Sequence, residues 1–206
     1  ERDAWLSQWR AKLSSPEVPM TPYRVIWDFM HTIPPEDAIV THDSGSPRDQ
    51  IVPFYRSNGP RTYIGWGKSH GLGTGLGLTI GAKLAQPDKV CINFMGDAAF
   101  GMVGLDFETA VRSNIPIITV VLNNSTMAVE TTAMADSHRL YNTRDLGGDY
   151  ADMGRAMGGY AERIEDPAHI IQAFQRARRV TEDEGKAVLL EFITSAETEK
   201  SHGRAF

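Results

Sequence analysis

The sequence predicts an α/β fold of three layers, with a mainly parallel, doubly wound sheet between helices. Two observations carry this. Short apolar runs of strand length alternate along the chain with segments of helical period, the order that gives parallel βαβ units. The run "PIITVVLNN" (116–124) is β-branched and apolar, with no polar alternation, as a sheet covered on both faces requires.

The elements follow in order. Residues 1–20 open with a helical pattern (Trp5, Leu6, Trp9, Leu13) and pass into "SSPEVPM", a linker composition. They are expected to be the tail of a linker from a preceding domain, with one domain over 21–206. A start at Glu1 rather than Met fits a processed chain or a piece of a longer one. Thr21-Pro22 reads as a helix cap with a first-turn proline, and Val25, Ile26, Phe29 and Met30 then form one apolar stripe. "AIVT" (38–41) is a buried strand running into a polar turn, "HDSGSPRD", and "RTYIGW" (61–66) is a further strand. "GLGTGLGLTIGAKLA" (71–85) enters a helix rich in small residues.

"KVCINFMGD" (89–97) is a strand closed by a turn, and the next helix carries Val103, Phe107, Ala110 and Val111 on one face. After the strand at 116–124, residues 125–148 are polar and irregular, long enough for a functional loop. "DYADMGRAMG", "YAERI", a helix from Asp166-Pro167 and "AVLLEFIT" complete the alternation.

Composition excludes several classes. The 206 residues suffice for one sizeable core. Charged residues make up 23% and the net charge is −5, which is no nucleic-acid footprint. No apolar run approaches the ~20 residues of a membrane span, and no signal-peptide pattern opens the sequence. Cys91, the single cysteine, lies in an apolar run and has no internal disulfide partner, so a buried thiol in a reducing, cytoplasmic setting is expected.

The strand ends carry the chemistry. Both strands of a right-handed βαβ unit finish on the same edge of the sheet. Asp97 and Asn124, 27 positions apart, therefore meet at the carboxyl edge, where open α/β sheets bind ligands. A carboxylate and an amide oxygen suit Mg²⁺ or Ca²⁺ but are too few for an all-protein cage; such Mg²⁺ completes its shell with waters and phosphates. The helix after Gly96-Asp97-Ala98-Ala99 offers backbone N–H groups to a phosphate. A metal-bridged diphosphate fits these residues, as do a helix cap at Asp97 and an ordinary turn at Asn123-Asn124.

Gly96-Asp97 followed at this spacing by Asn123-Asn124 resembles the cofactor motif of thiamine diphosphate-dependent enzymes, on their diphosphate-binding domain. The resemblance is to the acetolactate synthase and pyruvate decarboxylase group and covers nearly the whole chain. It implies that Asp97, Asn124 and the carbonyl of Thr126 bind Mg²⁺, with Met127 and Ala128 beside the cofactor. Ala98 departs from the usual Gly. Ala99 stands where a hydroxyl residue often meets phosphate, which leaves that contact to backbone N–H. In "DSGS", Ser44 and Ser46 are expected to donate hydroxyls to the diphosphate and Gly45 to let the backbone approach it. "SHGLGTGLGLTIGA" resembles the family's glycine-rich cradle for the pyrimidine. Leu72 takes the place of the apolar residue that bends the cofactor, Gly71 lies beside it, and the His70 carbonyl would face the 4′-amino group. A dinucleotide-binding module is the weakest contender, because from Gly71 the pattern is G-x-G-x-G-x-G and no frame gives G-x-G-x-x-G.

Glu130 lies six positions past Asn124, where the pyruvate decarboxylase branch places a carboxylate near the substrate; the surrounding "LDFETAVRSNIPIITVVLNN" is closer to the synthase branch. Glu130 is the expected catalytic residue, moving protons during decarboxylation or product release. His42 and His70 are open between functional and structural roles, and His31, His169 and His202 read as surface residues.

The function implied is a 2-oxo acid decarboxylase or acetolactate synthase-like carboligase acting through a cofactor ylide. The alternatives are a 2-hydroxyacyl-CoA or oxalyl-CoA type lyase and a non-catalytic cofactor-binding subunit. The family's cofactor lies between this domain and a pyrimidine-binding one, which carries the Glu that protonates the aminopyrimidine. Glu108 and Glu36 stand in the wrong places for that role, so a partner domain or subunit, and a dimer or tetramer, are expected.

Overall fold

The structure is a computed structural model and describes residues 1–65, 71–128 and 133–201. Its centre is a six-stranded sheet of β1 (Ala38–His42), β2 (Tyr63–Ile64), β3 (Val90–Gly96), β4 (Ile118–Asn123), β5 (Tyr160–Ile164) and β6 (Val188–Ile193), in the order β2-β1-β3-β4-β6-β5. Every pairing is parallel. Helices cover both faces, as the long apolar strands demand.

One face is packed by α1 (Arg2–Leu13), α2 (Pro22–Thr32), α3 (Ser46–Ile51) and α9 (Ile170–Asp183). Thr21 caps α2, its side chain accepting from Arg24 N, with Pro22 in the first turn. Phe29 on α2 meets Phe94 on β3 at 5.0 Å and Phe174 on α9 at 5.5 Å between ring centres. The opposite face is packed by α4 (Thr74–Ala85), α5 (Asp97–Val103), α6 (Asp106–Arg112) and α8 (Tyr150–Ala156). Alternation along β3 divides the two cores, with Ile92 and Phe94 on the first and Cys91 and Met95 on the second. Burial pushes the Cys91 thiol up to about 11, which keeps it protonated at neutral pH.

The helical pattern of the opening segment is α1, which buries Trp9 and Leu13, and Trp9 packs against Tyr23 and Phe54 with ring centres 5.2 and 5.5 Å away. Three local expectations are corrected. The single helix expected around Val103 to Val111 is two, α5 and α6, broken at Gly104–Leu105. There the ladder tightens to Phe107 N–Gly104 O and Glu108 N–Leu105 O bonds, and any Cβ on Gly104 would overlap the Phe100 ring. The turn after β1 is short because Pro47 starts α3 within it. Finally, 125–148 is not irregular throughout: α7 (Ala135–Tyr141) lies in it, with no buried residue and hence no apolar stripe to read. Among the described residues, no helix is long and apolar enough to cross a membrane.

Candidate functional site

β1 and β3 are adjacent in the sheet but not consecutive in the chain, so the strand order turns outward between them. Ligands of open parallel sheets bind at such a point, beyond the carboxyl ends of the strands. A cleft opens there, walled by Ser44, Gly45 and Ser46 after β1, Gly96 to Ala99 after β3, and Asn124, Thr126, Met127 and Ala128 after β4. Leu72 forms another side. The structure thus gathers into one cleft residues the sequence marked at four separate places.

Asp97 begins α5 and is 3% exposed. Its Oδ1 accepts from Ala98 N at 2.8 Å, whereas its Oδ2 is buried with no hydrogen-bond partner among the described residues. Burial pushes its carboxyl above the ordinary value, and the amides of Ala98, Ser125 and Thr126 act in the opposite direction. Asn124 is half-buried, with Oδ1 accepting from Thr126 N at 3.1 Å. The Thr126 carbonyl accepts from Ala128 N at 2.9 Å, and Thr126 Oγ1 is buried without a partner among the described residues. These oxygens keep lone pairs to spare. A lone carboxylate oxygen with an amide and a carbonyl oxygen beside it is a donor set that fits a hard divalent cation needing further ligands from elsewhere. Among the described residues no group of three or more His, Cys, Asp and Glu could hold a metal alone.

The wall holding Leu72 is fixed by Asp43, a residue quoted in the turn motif but given no role by the sequence. Fully buried, it accepts from Ser44 N at 2.7 Å, Gly73 N at 2.8 Å and Gly75 N at 3.1 Å. Asp43 thereby serves as a remote cap for α4, whose N-cap Gly73 has no side chain to do it. Gly75 packs so closely that a Cβ there would overlap Asn93, which explains the small residues at this helix start. Gly45 has φ +84 and ψ −151, a conformation open to glycine.

Other expected residues fall elsewhere. Gly71 is exposed and is not among the residues lining the cleft. His70, Glu130 and His202 lie outside the described residues. His42 is buried, with its ring 5.4 Å from Tyr63 and so close to Gly65 that a Cβ there would overlap it, and it is not among the residues lining the cleft. His31 and His169 are exposed.

The cleft also recruits residues that sequence reasoning missed. Gln50 of α3 and Thr194 after β6 are buried and line it, and Thr194 Oγ1 has no partner among the described residues. Behind the cleft stands Glu191, fully buried in β6. A single charge in "AVLLEFIT", a strand covered on both faces, was the available signal, since such a group persists only with partners. Tyr150 lies near enough to both carboxylates that burial, then Asp97 and Glu191, push its phenol up to about 12.

A family model described as thiamine pyrophosphate enzyme, C-terminal TPP binding domain, matches residues 43–192. The chain belongs to this family. Among its relatives is the acetolactate synthase large subunit IlvG of Mycobacterium tuberculosis, 30% identical over 170 residues, which cover 82% of this chain and 31% of the relative. A sulfoacetaldehyde acetyltransferase of Alcaligenes xylosoxydans xylosoxydans is 29% identical over 168 residues, 79% of this chain and 27% of the relative. A 2-hydroxyacyl-CoA lyase of Oryza sativa subsp. japonica is 30% identical over 118 residues, 56% and 20% of the two chains. The chain spans about a third or less of the curated relatives it matches. In fold it is similar to a benzoylformate decarboxylase from Polynucleobacter necessarius, with a TM-score of 0.75 and 21% identity over 88% of this chain and 34% of that one. That decarboxylase thus shares the fold found here, an all-parallel sheet between helix layers.

Proposed function

We propose that this TPP-binding domain holds thiamine diphosphate through Mg²⁺ and serves a 2-oxo acid decarboxylase or acetolactate synthase-like carboligase. The observation that carries this is Asp97 Oδ2, a buried carboxylate oxygen without a hydrogen-bond partner among the described residues, in a cleft shared with Asn124 and Thr126. Asp97, Asn124 and the Thr126 carbonyl would hold Mg²⁺. Ser44, Ser46 and the backbone at Ala98 and Ala99 would receive the diphosphate, and Leu72 would support the bent cofactor.

When bound, thiamine diphosphate supplies an electron sink for making or breaking a C–C bond next to a carbonyl. The chain's own part is to orient that group and to exclude water from its charged end. Glu130, with the proton-transfer role assigned from its position after Asn124, would give or take a proton at the substrate carbonyl. The His70 carbonyl, as the resemblance implies, would face the 4′-amino group of the pyrimidine. A pyrimidine-binding domain, supplied by another part of the protein or another subunit, completes the site, with a dimer or tetramer as the assembly. The buried, reduced Cys91 is in keeping with a cytoplasmic location.

Similarity to the rice 2-hydroxyacyl-CoA lyase supports a second reading, a lyase of 2-hydroxyacyl-CoA substrates. Turnover of a panel of 2-oxo acids and of a 2-hydroxyacyl-CoA, with thiamine diphosphate and Mg²⁺, separates the two. The first reading expects 2-oxo acid turnover, falling at least about 100-fold in Glu130→Gln with little loss of cofactor affinity. Carbon–carbon cleavage of the 2-hydroxyacyl-CoA alone, with the thioester intact, would replace it with the second. Robust turnover by the 206-residue chain by itself would contradict the need for a partner domain.

A further inference from the structure

We propose that Glu191 is a positioning residue that sets the metal-binding turn at 124–126; this rests on the reading of that turn as a Mg²⁺ site. Its carboxylate is fully buried in a strand that is otherwise apolar. Such a group is costly unless every lone pair is used. Three elements supply the donors: Asn123 Nδ2 on β4 at 2.7 Å, Ala151 N in the first turn of α8 at 2.9 Å, and Arg163 Nη1 on β5 at 3.2 Å.

The register explains how one side chain reaches all three. Arg163 is the β5 partner of Glu191, and Asn123 stands two positions beyond its β4 partner, Val121. All three side chains therefore share one face of the sheet.

The bond to Asn123 controls what Asn123 does next. With its NH₂ committed to Glu191, its Oδ1 points outward and accepts from Ser125 N at 3.0 Å and Ser125 Oγ at 3.1 Å. That pair of bonds holds Ser125 in the left-handed region, φ +55, which a non-glycine residue adopts only at a cost. The turn so formed aims Asn124 and Thr126 at the cleft and lets Met127 N bond Arg144 O at 2.9 Å and Leu146 N bond Ser125 O at 3.0 Å. The excursion that starts at Asn123 returns to the core at α8, and there the same carboxylate accepts from Ala151 N. One buried Glu thus pins both ends of the segment that carries the site.

The test compares Mn²⁺ affinity, measured with thiamine diphosphate present, and thermal stability in the intact protein and its variants. Glu191→Gln places an NH₂ where Ala151 N–H or Asn123 NH₂ already donates, and the expected result is 10- to 100-fold weaker Mn²⁺ binding, as for lost outer-shell partners of metal sites. Adding Asn123→Asp restores the match toward β4 and α8, because the new amide can donate to the new carboxylate and still accept from Ala151 N; Arg163 Nη1 loses its acceptor in both variants but keeps Asp149 and Glu165 as partners. The double variant is expected to recover most of the lost affinity.

A lower melting temperature in Glu191→Gln with Mn²⁺ affinity within twofold of wild type would overturn the proposal, as would a double variant no better than the single. Should Glu191→Gln not fold, Ser125→Ala removes only the hydroxyl bond to Asn123; a several-fold loss of Mn²⁺ affinity supports the proposal, and none contradicts it. If wild type binds no Mn²⁺, the cofactor reading fails. Amide exchange at 125–127 then decides the positioning role by itself: it should be faster in the variants, and equal exchange overturns it.

Discussion

The Asp43 carboxylate, at the carboxyl end of β1, accepts a 2.8 Å hydrogen bond from Gly73 N, thirty residues away at the start of α4. This bond, with those from Ser44 N and Gly75 N, locks the turn after β1 to the wall that holds Leu72. Asp43→Ala strips the partner from three amides, at about 1–3 kcal/mol for each donor left buried and unsatisfied. The expected loss is at least about 3 kcal/mol, read from the denaturation midpoint. Asp43→Asn keeps one acceptor oxygen and should fall between the two. Equal stability of all three would show that water replaces these bonds.

Gly45 is the second hinge of that turn. At φ +84 and ψ −151 it occupies a region closed to other residues. A Cβ would meet Leu72 Cδ2 at 3.8 Å, an ordinary contact, so the cost of Gly45→Ala is backbone strain and not overlap. About 1–3 kcal/mol of stability should be lost. Calorimetric unfolding checks this, and an unchanged melting temperature would mean the turn relaxes to another conformation.

The sheet was legible because strands buried on both faces leave an uninterrupted apolar signal. Asp97 and Asn124 were legible because chain handedness converts their spacing into adjacency. Other features leave no such local trace. The break at Gly104–Leu105 is invisible to a periodicity that continues from Val103 to Phe107, Ala110 and Val111. α7 buries nothing and therefore has no stripe. Of the expected strand 61–66, only Tyr63 and Ile64 pair among the described residues. Apart from the adjacent Ser44, the partners of Asp43 and Glu191 are 28 to 68 residues distant in the chain, and only the folded register brings them together.

Glu162 on β5 joins α9 through Arg176 Nε at 2.8 Å, with Arg176 Nη2 on its other oxygen. Burial opposes ionisation of Glu162, yet the bonds from Arg176 and Tyr160 outweigh it and hold the carboxyl below its ordinary 4.5. A depressed folded pKa contributes stability that is present above about 4.5 and lost as pH falls through the lower folded value. Glu162→Gln should therefore be less stable than wild type at pH 7, by under about 1 kcal/mol for a partly exposed pair. The difference should shrink as pH falls below about 4.5 and vanish once Glu162 is protonated in the folded state as well. A gap that persists undiminished in acid would assign the effect to packing.

The central claim is that Asp97 holds a Mg²⁺ that in turn holds thiamine diphosphate. Its most direct test is calorimetric titration of thiamine diphosphate into the intact wild-type protein and Asp97→Ala, each with Mg²⁺ and with a chelator, alongside circular dichroism. Binding by wild type that requires Mg²⁺, and no detectable binding by a folded Asp97→Ala, is the predicted result. Equal cofactor affinity in the two folded proteins would contradict it.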